Sequence, residues 1–465
     1  MKVNVLFVDP PISSKSASVE VKEFIKHKRY PIGILSIMTF LKKSIPGCDV
    51  KYLKVLDIEN EKDYLQKVTS FKPDIIGFPC YSFDFFNTYL LIKKLKKLLP
   101  KSHFCCGGAH VNFYPKETIS LPEVDSVILG EGEEPFKNLF LHLSCGLPLK
   151  EQGIYTKKDI KDGKSFSYSV NADLNEMPIP DIKLLEGYLS YTSFLTGKPL
   201  GTLVSSKGCP FLCNYCSSKY SKYRLFKIEK IVETLSYYVS CGIYEFEFWD
   251  ETFNPSIRRL LDFVKAMKIA KLPISFGIKG AVVQNVNYES LKGLKDVGLR
   301  RIQFGVETTS ERLLNLINKR IDKQKIADAF LLCKKLEICS VANMMIGLPE
   351  QTEEDIFEDI EFLKKVQPTY IGINIFNYAP NTEFYKNYLE KNPSDDFWKL
   401  FAENPEKEII RHCYDNITHD RLYQLQKHLT RKFYFRPSYL LKYLRTVPLG
   451  EMINSAKIGL KMLLN

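Results

Sequence analysis

The chain has 465 residues, 45% of them hydrophobic and 26% charged, with a formal net charge of +12. That composition belongs to a globular protein of two or three domains with a large core, and no run of about 18 uncharged apolar residues is present to span a membrane. The bases are scattered or lie on helical faces, as at Lys93, Lys94, Lys96 and Lys97, with no nucleic-acid motif beside them, so a nucleic-acid partner is not expected.

The N-terminus, Val3–Val8, is too short an apolar stretch for a signal peptide and reads as a buried strand. Twelve cysteines in so long a chain make no disulfide scaffold and suit a reducing, cytoplasmic setting. Further strands are expected at 50–56, 74–78, 103–106 and 126–129, with helices at about 33–43, 84–99 and 134–144 between them. This alternation predicts a Rossmann-like, mainly parallel sheet over residues 1–145, which binds ligands outside the carboxyl ends of its strands. The loops expected there carry Pro10, Ser82, Gly107, Gly108, His110, Gly130, Glu131 and Gly132. Glycine allows a backbone to approach a bulky ligand, and it equally makes an ordinary tight turn.

Residues 146–199 contain Met177-Pro178-Ile179-Pro180-Asp181 and are expected to form an extended connector. From 200 to 384 the alternation resumes, with strands at 202–205, 245–248, 274–278, 301–304, 341–346 and 370–375. Six β/α units make a partial version of the eight-unit barrel, whose chemistry sits on the loops at the carboxyl ends of the strands. Residues 385–465 are rich in aromatics and bases, with a helical pattern near 449–464, and are expected to form a helical C-terminal region.

The loop after the first barrel strand reads Lys207-Gly208-Cys209-Pro210-Phe211-Leu212-Cys213-Asn214-Tyr215-Cys216. Three thiolates at this spacing can hold three corners of a cubane 4Fe–4S cluster, whereas an electron-transfer cubane takes four cysteines. No fourth cysteine is near, so one iron would be left open. The same triplet could serve in a zinc site. Polar or glycine-rich turns follow other strands too: Asp250-Glu251-Thr252-Phe253, Gly305-Val306-Glu307 and Gly347-Leu348-Pro349-Glu350.

Taken in order, these motifs, together with Asp9-Pro10-Pro11, Tyr30-Pro31-Ile32-Gly33, Gly107-Gly108-Ala109-His110, Gly130-Glu131-Gly132-Glu133 and Phe433-Tyr434-Phe435-Arg436-Pro437, resemble the cobalamin-binding (class B) radical S-adenosylmethionine (SAM) enzymes. The resemblance covers nearly the whole chain. It implies that Cys209, Cys213 and Cys216 ligate the cluster and that the open iron takes SAM. It further implies that Tyr215 packs near the adenine, that Asp250 and Glu251 lie near the amino group of SAM, and that Glu307 accepts from the ribose hydroxyls. In the N-terminal half it implies cobalamin at the loops that carry Pro10, Ser82, Gly107, Gly108, His110, Gly130, Glu131 and Gly132, with Ser82 near the nucleotide tail or a corrin amide.

Two departures from the family pattern stand out. The Asp-x-His-x-x-Gly signature that supplies a lower cobalt ligand in many cobalamin proteins is absent, so the base is expected to leave cobalt without a histidine replacing it, although His110 could border the corrin. Lys279-Gly280-Ala281 stands where many relatives carry an arginine-containing turn.

The resemblance implies methyl transfer to an unactivated carbon or phosphorus of a small-molecule or lipid-like substrate, with a flavodoxin or ferredoxin as electron donor. Cyclisation, ring contraction or other non-methylating radical chemistry is the alternative with the same cofactors. A methylthiotransferase is disfavoured, because the loop after the first strand is Asp9-Pro10-Pro11 and lacks the cysteine of a second cluster. A non-catalytic cluster sensor needs no SAM pocket and leaves Asp250, Glu251 and Glu307 unexplained.

Overall fold

The computed structural model describes residues 3–9, 30–54, 61–149, 152–171, 173–193, 196–220, 222–407, 416–437 and 439. Pro10 and the helical pattern at 449–464 lie outside the described residues. The chain divides into two compact units, one of residues 1–190 with 394–410, the other of 191–393 with 411–464. Among the described residues no helix is long and apolar enough to cross a membrane.

The first unit is built on a six-stranded sheet. Its strands are β1 (Asn4–Asp9), β2 (Asp49–Lys54), β3 (Ile75–Pro79), β4 (His103–Gly107), β5 (Ser126–Ile128) and β6 (Ile154–Thr156), in the order β2-β1-β3-β4-β5-β6. All neighbours are parallel except β5 and β6. Val5, Leu6, Phe7 and Val8 are all buried, the continuous apolar run of a strand covered on both faces. The helices α1 (Ile32–Ser44), α2 (Glu61–Phe71), α3 (Phe85–Leu98), α4 (Ala109–Phe113), α5 (Pro115–Ser120) and α6 (Glu133–Cys145) supply the cover. Because the chain leaves β1 for β2 on one side and returns to β3 on the other, the crevice at the carboxyl ends of β1 and β3 is the topological switch point, where open sheets take ligands.

The segment expected as an extended connector carries structure of its own. It contributes β6 to the sheet and α7 (Lys157–Lys161), whose start is fixed by a capping box of Thr156 and Asp159. Asp181 N then donates to Thr39 Oγ1 at 2.8 Å. The C-terminal region is divided as well. A helix at Phe397–Glu403 belongs to the first unit, where Trp398 meets Phe83 edge-on at 5.3 Å and Phe401 meets His110 at 6.4 Å. Burial of Phe397, Trp398 and Phe401 accounts for this docking, since each large aromatic side chain removes much apolar area from water.

The second unit holds an open six-stranded parallel sheet of β7 (Leu200–Leu203), β10 (Glu245–Phe248), β11 (Ser275–Ala281), β12 (Leu299–Glu307), β13 (Cys339–Ile346) and β14 (Tyr370–Ile375), in the order β14-β13-β12-β11-β10-β7. A hairpin of β8 (Ser206–Lys207) and β9 (Arg224–Leu225) follows β7 and brackets the cysteine loop. On the helix side of the sheet, Phe248, Phe253, Phe263 and Phe276 form a mutual aromatic cluster with centroids 4.9–5.9 Å apart. Alternation turns Glu247 of β10 to the inner face, where it pairs with Arg301 of β12 and with Lys279 of β11 at 3.3 Å. Lys279 Nζ also lies 3.8 Å from the ring centre of Trp249, a cation–π contact.

Candidate active site

The cysteine loop is held by its backbone and its asparagine rather than by its thiols. Asn214 N donates to Ile317 O at 3.0 Å and Asn214 Nδ2 to Leu316 O at 2.9 Å. Asn318 Nδ2 returns a bond to Leu212 O at 2.8 Å, and Phe384 N donates to Asn214 O at 3.1 Å. Cys209, Cys213 and Cys216 are each partly accessible, in contrast to the buried Cys80, Cys105 and Cys106. Among the described residues no three acidic, histidine or cysteine side chains converge on a single metal ion. A cubane asks for a different arrangement, one thiolate for each of three irons, and three free thiols on one pinned loop fit that donor set. Burial pushes the Cys213 thiol up to about 11, with Lys319 opposing the shift.

Asp250, expected near the amino group of SAM, is buried just past β10. Its Oδ1 accepts from Ser205 N, Ser205 Oγ and Ser206 Oγ at 2.9, 2.7 and 2.6 Å. It thus fastens the entry to the cysteine loop, and Oδ2 is buried with no hydrogen-bond partner among the described residues. Burial raises its pKa to about 6 against the opposing serine bonds. Glu251 is exposed and accepts from Ser218 Oγ at 2.7 Å. Thr252, beside them, puts its hydroxyl 3.1 Å from Cys209 Sγ.

Glu307 ends β12 with a backbone φ of 66°, in the left-handed region. Its Oε1 accepts from Tyr215 OH at 3.1 Å and from Lys319 Nζ at 2.7 Å, while Oε2 makes no hydrogen bond among the described residues. Gly305 makes the pair possible, since a Cβ there would lie 2.6 Å from Glu307 Oε1 and 2.8 Å from Lys319 Nζ. The structure therefore brings Tyr215, Glu307 and the cysteine loop together. Lys319 was not singled out by the sequence reading. Its signal, a base in Asn318-Lys319-Arg320 after a helix, resembles any exposed charge.

In the first unit the glycines of the expected cobalamin loops differ in what surrounds them. Gly108 has φ 104°, and a Cβ would come 2.9 Å from Cys80 O. Gly130 has φ 79°, and its missing Cβ makes room for Ser169 O. Gly107 meets only ordinary contacts with Ile128, and Gly132 gives way to Ile37. The segment 169–171, from the supposed connector, covers this loop: Glu131 N donates to Ser169 O at 2.9 Å, and Asn171 N to Glu131 Oε2 at 2.5 Å. Gly108, Gly130 and Gly132 thus clear space for the chain itself.

His110 is likewise withdrawn. Its ring is fully buried, stacks on Phe85 at 3.7 Å, and has Nδ1 3.2 Å from Ser82 Oγ, itself buried. Burial lowers its pKa to about 3, and Nε2 has no hydrogen-bond partner among the described residues. In the loop after β3, Tyr81 and Phe83 are 55% and 63% exposed. Asp9, at the end of β1, accepts from Tyr52 OH at 2.9 Å. An accessible aromatic edge at a switch point suits a wide, largely apolar macrocycle.

A radical SAM superfamily model matches residues 203–363, the region holding the cysteine loop and Glu307, which sets the class of the second unit. A B12-binding domain model matches residues 24–140. Between them the matches span more than half of the chain, and the protein belongs to the cobalamin-binding radical SAM enzymes. It is 29% identical over 453 residues to a protein of Pyrococcus horikoshii named as an uncharacterized methyltransferase, covering 95% of both chains. It is 22% identical over 413 residues to the anaerobic magnesium-protoporphyrin IX monomethyl ester cyclase of Rubrivivax gelatinosus, covering 87% of this chain and 73% of that one. Its fold matches the cobalamin-dependent SAM radical enzyme OxsB, solved with aqua-cobalamin and SAM, at a TM-score of 0.72 and 15% identity, over 99% of this chain and 71% of that one.

Proposed function

We propose that this chain is a methyltransferase that moves a methyl group from cobalamin to an unactivated carbon, or a phosphorus, of a small molecule. The observation that carries the reading is the pairing, in one chain, of a three-thiol loop beside Glu307 with a B12-binding domain. The relative named as a methyltransferase, aligned over nearly the whole of both chains, supports methyl transfer. When bound, the cluster, SAM and cobalamin supply the electron, the 5′-deoxyadenosyl radical and the methyl group.

The residues divide the work. Cys209, Cys213 and Cys216 hold the cluster, and Asp250 keeps the entry of their loop in place through Ser205 and Ser206. Glu307 offers Oε2 to the ribose hydroxyls of SAM, while Tyr215 and Lys319 fix Oε1. Glu251 stands at the exposed rim, where a carboxylate favours an ammonium. Tyr81 and Phe83 border the corrin, and Ser82 acts behind them through His110. A net charge of +12 would draw an acidic one-electron donor such as a flavodoxin or ferredoxin.

Non-methylating radical chemistry is the second reading, favoured by the likeness to a cyclase. Anaerobic turnover of the loaded protein with SAM labelled in its methyl group, using an extract of the source cell, separates the two. Label in a heavier product supports methyl transfer. A product of changed mass without label supports the second reading.

A further inference from the structure

Glu307 could not keep its conformation by itself. A non-glycine residue in the left-handed region is strained and persists only where its surroundings impose it. Thr308 N donates to Val306 O at 2.9 Å, closing a tight turn around Glu307, and the β12–β13 register slips between Gly305 and Glu307. The two residues after the turn, Thr308 and Thr309, are both buried.

What holds them is a carboxylate from a different β/α unit. Asp359 lies in the helix Glu353–Val366 that follows β13, on the same buried face as Ile356, Ile360 and Leu363, and is 3% exposed. An acid on the core face of an amphipathic helix is costly unless its hydrogen bonds are made. Its Oδ1 makes them all with the turn: Thr309 N at 2.6 Å, Thr309 Oγ1 at 2.7 Å and Thr308 Oγ1 at 3.3 Å. Oδ2 is buried and has no hydrogen-bond partner among the described residues. The helix therefore spends a buried acid on anchoring the segment just past Glu307.

We infer that Asp359 is a positioning residue for SAM: by clamping Thr308 and Thr309 it holds Glu307 in its left-handed turn, so that Oε2 faces the ribose. The inference rests on the reading that Glu307 binds SAM. It differs from a general structural role in one respect: its effect on SAM passes through the Glu307 side chain and vanishes when that side chain is gone.

A double-mutant cycle on cluster-loaded protein, read by calorimetric titration with SAM, tests this. Expected are a loss of affinity of about tenfold or more for Glu307→Ala and a similar loss for Asp359→Ala. Asp359→Ala should then cost less than about twofold when added to Glu307→Ala. Asp359→Asn, which keeps an oxygen acceptor at Oδ1, should stay within about threefold of wild type. Thr309→Val removes one hydroxyl only and, should Asp359→Ala fail to fold, takes its place in the cycle with a smaller loss. Glu307→Ala weakening SAM while the position-359 and position-309 variants do not overturns the inference alone. Equal losses from Asp359→Ala with and without Glu307 also overturn it. Unchanged affinity in Glu307→Ala overturns the reading beneath it and the inference with it.

Discussion

Lys319 Nζ lies 2.7 Å from Oε1 of Glu307, each side chain only 11% exposed. Glu307 ends β12, Lys319 follows the helix Glu311–Leu316, and the two meet above Gly305, in the corner where the cysteine loop is anchored through Asn214. This ion pair leaves one carboxylate oxygen committed and the other available.

Removing the ammonium should therefore damage stability as well as binding. Truncating one member of a buried pair strands the other charge, at a cost of about 3–5 kcal/mol. Lys319→Met is expected to lower the stability of the second unit by about 3 kcal/mol in urea unfolding, and Lys319→Arg by about 1 kcal/mol. Equal stability of Lys319→Met and wild type would mean that solvent already screens the pair.

Anaerobically reconstituted wild type is expected to bind one 4Fe–4S cluster, and Cys209→Ala, Cys213→Ala and Cys216→Ala each to lose it. Iron analysis and Mössbauer spectra read the result. A cluster retained in all three variants would remove these thiols from the site.

With cobalamin bound, the Co(II) electron paramagnetic resonance spectrum should lack nitrogen splitting, and His110→Ala should leave it unchanged. The reason is burial: the imidazole is enclosed by Phe85, Tyr114 and Phe401. Nitrogen splitting that disappears in His110→Ala would make His110 the lower ligand and require the ring to swing out of its enclosure.

The same burial predicts a pH dependence. His110 has its pKa lowered to about 3 from 6.5, so the folded state refuses a proton that the unfolded chain accepts. Its contribution to stability is complete above the unfolded value and is lost as pH falls below it toward the folded value. The slope is about 1.4 kcal/mol per pH unit within that window. His110→Phe, which preserves stacking on Phe85, should accordingly lose about 1 kcal/mol less than wild type between pH 6 and pH 5. Identical losses in urea unfolding would show that the native state accepts the proton.

The two parallel sheets and the cysteine loop were legible in the sequence, because each depends on local pattern: apolar runs of strand length, helical periodicity, and thiols close together along the chain. The strand candidates at 245–248 and 370–375 were thus placed on β10 and β14. The resemblance likewise pointed to Glu307 and Tyr215, and the fold brings both to one carboxylate oxygen. What only tertiary structure decided was which parts of the chain cover which. Residues 169–171 close over the Gly130 loop, Phe401 helps to seal His110, and Lys319 and Asp359 come in from other segments to hold Glu307 and the turn beyond it. These contacts join residues far apart along the chain, where a glycine, a lysine or an aspartate looks alike whether it serves a ligand, the solvent or its own backbone. Their meaning comes from the burial and the partners that folding imposes.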